Sequence, residues 1–359
     1  MTRPRFGALF IILLPVLVLP AVVMFWLLMR GDIAEQLYHQ AMAASAGGDP
    51  ALAREYFRLS ASHGHPDAAC NLAMMYLLGV GGPADADAAR EQFELAALYG
   101  SIEAEYQLGL LDETRQSGPD YNGAALHYNR AALGGHTTAQ AGLARLYETG
   151  AGVSRSVILA AEFYRKAAVA GHAASQCALG ELYLSAPEVR DDREAFRFFS
   201  LAAAAGLPRA HTGLGCLYER GWEGHAPDRD KAAACYQTAA EHGEPDAMVN
   251  LGDLIATEDP ARARRLYEQA AKLDSAPAWH RLGMLHFKGV GEKVDYPAAL
   301  QCFERAAAGG DAASWINLGI MHEQGLGTPV DRKRAEQCYG QALALGHPEA
   351  ARRLAALGK

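Results

Sequence analysis

Two hydrophobic patterns divide the chain. From Phe6 to Met29, "FGALFIILLPVLVLPAVVMFWLLM", 24 residues pass without a charge. Beyond Arg30 the apolar residues recur at spacings of four, which keeps them on one face of a helix. Leucines followed by Gly or Ala stand at Leu72, Leu108, Leu143, Leu179, Leu214, Leu251, Leu282, Leu318 and Leu354, at intervals of 31 to 37 residues. Four residues before each is Ala or Ser, as in Ala68, Ala139, Ser175 and Ser314. Four after there is often a ring, as in Tyr76, Tyr147, Tyr183, Tyr218, His286 and His322. The small residue admits a neighbouring helix, and the leucine and ring fill the remaining space.

A second helix is predicted in each period by an aromatic residue three before Ala or Ser: Phe57, Phe93, Tyr128, Tyr164, Phe199, Tyr236, Tyr267, Phe303 and Tyr339. Seven residues after eight of these rings is a glycine suited to ending a helix in the left-handed conformation; Asp274 takes its place once. Asp85, Asp191, Asp295 and Asp331 precede the second helix where an N-cap is expected. The runs "GVGGPAD", "GAGVSRS", "GVGEKVD" and "GLGTPVD" contain G-x-G. Each follows a helix instead of a strand and recurs at one place in the period, so a phosphate-loop reading fails.

The combination LG-x-x-Y-x-x-G-x-G, then D-x-x-x-A, then aromatic-x-x-AA-x-x-G-H resembles the Sel-1-like repeat, a subclass of the tetratricopeptide-like helical repeats. "LGMLHFKGVGEKVDYPAALQCFERAAAGGD" and "LGIMHEQGLGTPVDRKRAEQCYGQALALGH" follow the pattern almost throughout, and the resemblance covers residues 50–357. Two loops depart from it, "ETRQSGPD" and the shortened "LIATEDPARARRLY". A pair of helices cannot bury its apolar face alone, so stacked pairs must share one core. The expected fold is all-α: an α/α superhelical solenoid of about nine helix pairs over residues 50–359, preceded by one transmembrane helix. Residues 31–49 are expected to form a juxtamembrane or capping helix.

As a helix, the uncharged run would span about 36 Å, enough for a hydrocarbon core of about 30 Å. Arg3 and Arg5 precede it, and Asp32 and Glu35 soon follow Arg30, which places the N-terminus in the cytoplasm and the repeats across the membrane. A cleaved signal peptide would have a shorter core with a small-x-small site at its end, and Ala44-Ser45-Ala46 lies beyond several charges. Residues 1–30 are therefore read as an uncleaved anchor in the inner membrane, with the repeat domain periplasmic.

From residue 31 onward there are 30 basic against 41 acidic residues, which argues against nucleic acid as a partner. The six cysteines (70, 177, 216, 235, 302 and 338) form no C-x-x-C pair and suit packing positions; Cys216 and Cys235 could join the two helices of one repeat. His172, Cys177 and Glu181 cluster in "FYRKAAVAGHAASQCALGELY" like a nucleophile with its base, but they straddle a repeat junction. His65, His136, His172 and His347 share one post-glycine turn, and Trp279 and Trp315 share one packing position. No catalytic residue, metal site, cofactor or small-molecule substrate is indicated.

Solenoids offer a surface. If the tetratricopeptide comparison holds, positions one before and two after the repeat leucine face the groove. The candidates there are Asn71, Met74, Leu110, Arg145, Glu181, Asn250, Asp253, Arg281, Met284, Asn317 and Ile320. Asparagine can pair with an extended backbone through both donor and acceptor. Trp222 and His225, in the enlarged loop "GWEGHAPD", are a second contact candidate. The resemblance implies a membrane-tethered scaffold or adaptor for a protein or peptide partner in a bacterial envelope. The alternatives are a module binding an envelope glycan or a glycan-assembly enzyme, and a β-lactam-interacting enzyme, for which no Ser-x-x-Lys motif accompanies the repeats.

Overall fold

The computed structural model describes residues 29–115, 117–291 and 293–358. The expected span, 6–29, lies outside these residues except for Met29. Among the described residues no helix is long and apolar enough to cross a membrane.

The chain forms two units, one running to His172 and one from Ala173. In the first unit, helices α1 (29–46), α2 (Pro50–Ser62), α3 (Pro66–Leu78), α4 (Ala86–Leu98), α5 (Ile102–Glu113), α6 (Tyr121–Leu133), α7 (Thr137–Thr149) and α8 (Val157–Val169) pair as successive hairpins. The second contains α9 (Ala173–Ser185), α10 (Asp192–Ala204), α11 (Pro208–Arg220), α12 (Arg229–Glu241), α13 (Pro245–Ile255) and α14 (Pro260–Lys272). It continues with α15 (Ala276–Lys288), α16 (Tyr296–Ala308), α17 (Ala312–Gln324), α18 (Arg332–Ala344) and α19 (Ala350–Leu357). The all-helical repeat architecture expected from the spacing is present.

Capping explains the boundaries. Nine side chains (Asp49, Asp85, Asp120, Ser156, Asp191, Asp228, Asp259, Asp295 and Asp331) accept from the backbone N–H three residues on, one for each second helix. The turn after the second helix needs a left-handed residue. Gly64 and Gly310 adopt φ 94° and 89°, and Asp274 takes the same conformation at φ 58° despite its side chain.

The core is built from the predicted positions. Ala68, Ala104, Ala139, Ser175, Ala210, Ala247, Ala278, Ser314 and Ala350 have no exposed surface, and all nine second-helix rings are buried. The glycine after the leucine has a packing reason: a Cβ on Gly215 would meet the Tyr236 ring at 2.4 Å, and one on Gly319 the Tyr339 ring at 2.3 Å. The G-x-G loops are architecture too. A Cβ on Gly81 would lie 2.3 Å from the carbonyl oxygen of Pro50, at the start of the preceding second helix. Gly152 and Gly327 approach Tyr121 and Tyr296 in the same way.

Candidate functional site

The post-glycine histidines do more than turn the chain. Nδ1 of His65 and of His136 accepts from the N–H of Ala68 and Ala139, at 3.3 and 3.1 Å, and so caps the next helix. An accepting Nδ1 leaves the ring proton on Nε2. From there the rings reach Glu35 at 3.0 Å and Glu103 at 3.1 Å, carboxylates on the first helix of the repeat before. Tyr38 and Tyr106 stack on these rings with centroids 4.4 Å apart.

The suspected nucleophile is a packing residue. Cys177 is buried, its Sγ lies 3.6 Å from Oε1 of Glu181, and burial followed by that carboxylate pushes its thiol up to about 12. Such a group stays protonated at neutral pH. Burial likewise raises Cys70 to about 11. All six cysteines are free; Cys216 and Cys235 do not pair, and the Tyr236 hydroxyl lies 3.4 Å from the Cys216 sulfur. Among the described residues no three His, Cys, Asp or Glu side chains converge as a metal cluster.

First helices of successive repeats neighbour one another in the second unit, α9 with α11, α11 with α13 and α13 with α15. This brings the two predicted sets of groove positions into contact: the residue before one leucine meets the residue two after the previous one. Asn250 Nδ2 points to Cys216 Sγ at 3.8 Å, and Asn317 Nδ2 to Met284 Sδ at 3.7 Å. Arg281 holds Asp253 in a fork, with Nε–Oδ1 at 2.8 Å and Nη2–Oδ2 at 2.7 Å. That bond is the main reason the guanidinium is held above its usual range. Glu181 is gripped by Arg209, with Nε–Oε1 at 2.6 Å and Nη2–Oε2 at 3.0 Å. For Arg209, burial works against the charge and Glu181 outweighs it, so its pKa rises.

The charged candidates are thus tied to neighbouring repeats, while Asn250 and Asn317 find only sulfur acceptors among the described residues. Ile320 is half-buried and packs beneath the end of the array with Leu354. Between α9, α11, α13 and α15 a hollow of about 320 Å³ is lined by Glu181, Arg209, Thr212, Cys216, Glu244 and Asn250. The Thr212 hydroxyl there is buried with no partner among the described residues.

In the first unit Asn71, Met74 and Leu110 are half-buried; Met74 and Leu110 pack against the local cores. Arg145 is exposed and bonds Glu113, which also accepts from Tyr128 at 2.8 Å. Trp222 and His225 form a two-bond antiparallel bridge, with Trp222 N–H to His225 O at 3.1 Å and the reverse bond at 2.7 Å. The Trp222 ring stacks on His225 at 4.3 Å and on Phe196 of α10 at 4.6 Å, and remains half-buried.

Nine stretches of the chain match a family model described as Sel1 repeat: 34–65, 66–100, 102–136, 137–172, 173–207, 208–244, 245–275, 276–311 and 316–347. The chain belongs to the Sel1 repeat family. The first Sel1 repeat begins inside α1, so the helix read from sequence as a juxtamembrane segment is the first member of a hairpin with α2. A crystal structure of c5321, a protective antigen of uropathogenic Escherichia coli strains displaying an SLR fold, is similar over 90% of this chain and 72% of that one, with TM-score 0.76 and 24% identity. A Sel1 repeat protein from Oxalobacter formigenes is similar over 84% of this chain and 89% of that one, with TM-score 0.62 and 27% identity. DAP3-binding cell death enhancer 1 of Mus musculus is 40% identical over 174 residues, 46% of this chain. The match spans 34% of that relative's length.

Proposed function

We propose that the chain is a membrane-anchored interaction scaffold without catalytic activity. Its first-helix face takes up an extended segment of a protein partner, and residues 6–29 hold the repeats at the outer face of a bacterial inner membrane. The Sel1 repeat architecture supports an interaction role. The observation that carries the peptide reading is the state of Asn250 and Asn317. Each amide nitrogen lies on the first-helix face and, among the described residues, is held only by a sulfur atom. Sulfur is a weak acceptor, so a peptide carbonyl can displace it with net gain. The open hollow beside Asn250, with the buried Thr212 hydroxyl, gives a side chain of the partner a place to enter. Anchoring is supported by the uncharged 24-residue run, and its orientation by Arg3 and Arg5 before it.

The test is affinity capture after crosslinking in native membranes, comparing the wild-type chain with Asn250→Ala/Asn317→Ala. Loss of a discrete partner in the variant supports the groove, and unchanged capture refutes it. Capture that vanishes after glycanase treatment would instead assign the face to a glycan.

A further inference from the structure

Each second helix of the first unit ends at one register, five residues after its buried ring: Ser62, Leu98, Leu133 and Val169. Leu98, Leu133 and Val169 are 79%, 77% and 75% exposed. Tyr99 and Ile102, beside Leu98, are also exposed. Single exposed aliphatics are ordinary. Three at the same place in consecutive hairpins form an apolar line along one edge, which calls for an explanation. The repeat itself does not require them, because the second unit ends the corresponding helices with Ala204, Glu241, Lys272, Ala308 and Ala344.

The chain enters the unit at this same edge. Arg30 donates through Nη2 to the carbonyl oxygen of Ser62 at 2.9 Å, which sets the beginning of α1 against the end of α2, in the register of the aliphatic line. Met29, Ile33 and His63 border an open hollow of about 490 Å³ there. Met29, the last residue of the uncharged stretch, therefore stands at the edge that carries Leu98, Leu133 and Val169.

We infer that this edge of the N-terminal unit lies on the lipid bilayer, with Leu98, Leu133 and Val169 inserted at the headgroup boundary and Tyr99 at the interface. The inference rests on the anchor reading above. The anchor holds the edge at the surface, and apolar burial orients it there. Asp67 and Glu103 are exposed on the first turns of α3 and α5, while Arg130 and Lys166 stand in the last turns of α6 and α8, so the edge carries both signs of charge and apolar burial is what orients it. The first-helix face of this unit then runs away from the membrane instead of lying flat on it.

The test uses the full chain in phosphatidylcholine nanodiscs, with a fluorescent amino acid incorporated at position 133 or, as control, at exposed position 154 between α7 and α8 at the other end of the hairpins. Lipids brominated near the headgroup should quench position 133 at least about threefold more than 154. Leu98→Lys with Val169→Lys should bring the label at 133 down to the level of 154, with the circular dichroism spectrum unchanged. Equal quenching at both positions, in protein that resists alkaline carbonate extraction from liposomes, overturns the edge inference and leaves the anchor standing. Release by carbonate overturns the anchor and the edge together. Shielding of 133 from an aqueous quencher without quenching by lipid also overturns it, and assigns the edge to a protein surface.

Discussion

The hydroxyl of Tyr236 donates to Oε2 of Glu219 at 2.7 Å, joining the buried ring of one helix to the carboxylate five residues after the repeat leucine of its partner. Tyr128–Glu113, Tyr164–Glu148 and Tyr339–Glu323 repeat the arrangement at 2.8, 2.9 and 2.6 Å. Where the ring is Phe93, Phe199 or Phe303, the carboxylate position holds Leu77, Leu184 or Phe287. In the shortened repeat Asp253 takes the role, accepting from Tyr267 at 2.7 Å. Hydroxyl and carboxylate occur together or not at all. Tyr236→Phe should therefore cost about 1 kcal/mol, because Glu219 is exposed and regains water. Glu219→Leu should cost about 1–3 kcal/mol by leaving the buried hydroxyl only the weak Cys216 sulfur as acceptor. The double variant, which recreates the Phe199–Leu184 combination, should be more stable than the two losses summed. Urea unfolding of the four proteins measures the coupling, and additive losses would refute it.

Two helix glycines should respond with opposite signs. Gly319→Ala drives a methyl against the Tyr339 ring and should destabilise by about 1–3 kcal/mol. Gly340→Ala on α18 meets nothing within 4 Å and should stabilise by about 0.5–1 kcal/mol through helix propensity alone. Denaturant midpoints of both variants check this; equal signs would contradict the packing account.

Asp274 holds a left-handed conformation at φ 58° where eight repeats have glycine. Asp274→Gly should raise stability by up to about 1 kcal/mol by relieving Cβ crowding. An unchanged or lower thermal midpoint would show that the aspartate compensates for its own strain.

Acid should weaken the second unit. Burial, followed by nearby Arg334, holds His322 below its usual range, and its buried Nδ1 has no partner among the described residues. Burial and then His242 do the same to His211. The unfolded chain therefore binds more protons than the folded one as pH falls through about 6.5, so stability drops there and levels off below the folded pKa. His322→Tyr restores the ring usual at that position. Its thermal midpoint should fall less than wild type's between about pH 7.5 and about pH 5.5. Parallel curves would remove His322 from the explanation.

The repeat was legible because helix-face chemistry is local. Leu214, Gly215 and Tyr236 announce their packing through fixed spacing, and Asp295 its cap through its distance from Ala299. The pairing of Tyr with Glu and Phe with Leu was equally present in the text, at a fixed offset from each leucine, but both helices must be placed before the offset has meaning. The histidine caps were hidden for another reason: His65 looks like a turn residue until the direction of its Nδ1 is known. For the groove, sequence named residues that do face one another. It could not show that Glu181 and Asp253 are already bound by Arg209 and Arg281, since those partners come from the next repeat. Nor could it show that Trp222 stacks on both Phe196 and His225.

The most direct measurement is photo-crosslinking in native membranes from a diazirine amino acid at position 250 on α13, with exposed position 234 on α12 as control. A discrete adduct from 250 that weakens with Asn317→Ala, and none from 234, is the predicted result. No adduct at 250, or the same adducts from both positions, would contradict a partner-binding face built from the first helices.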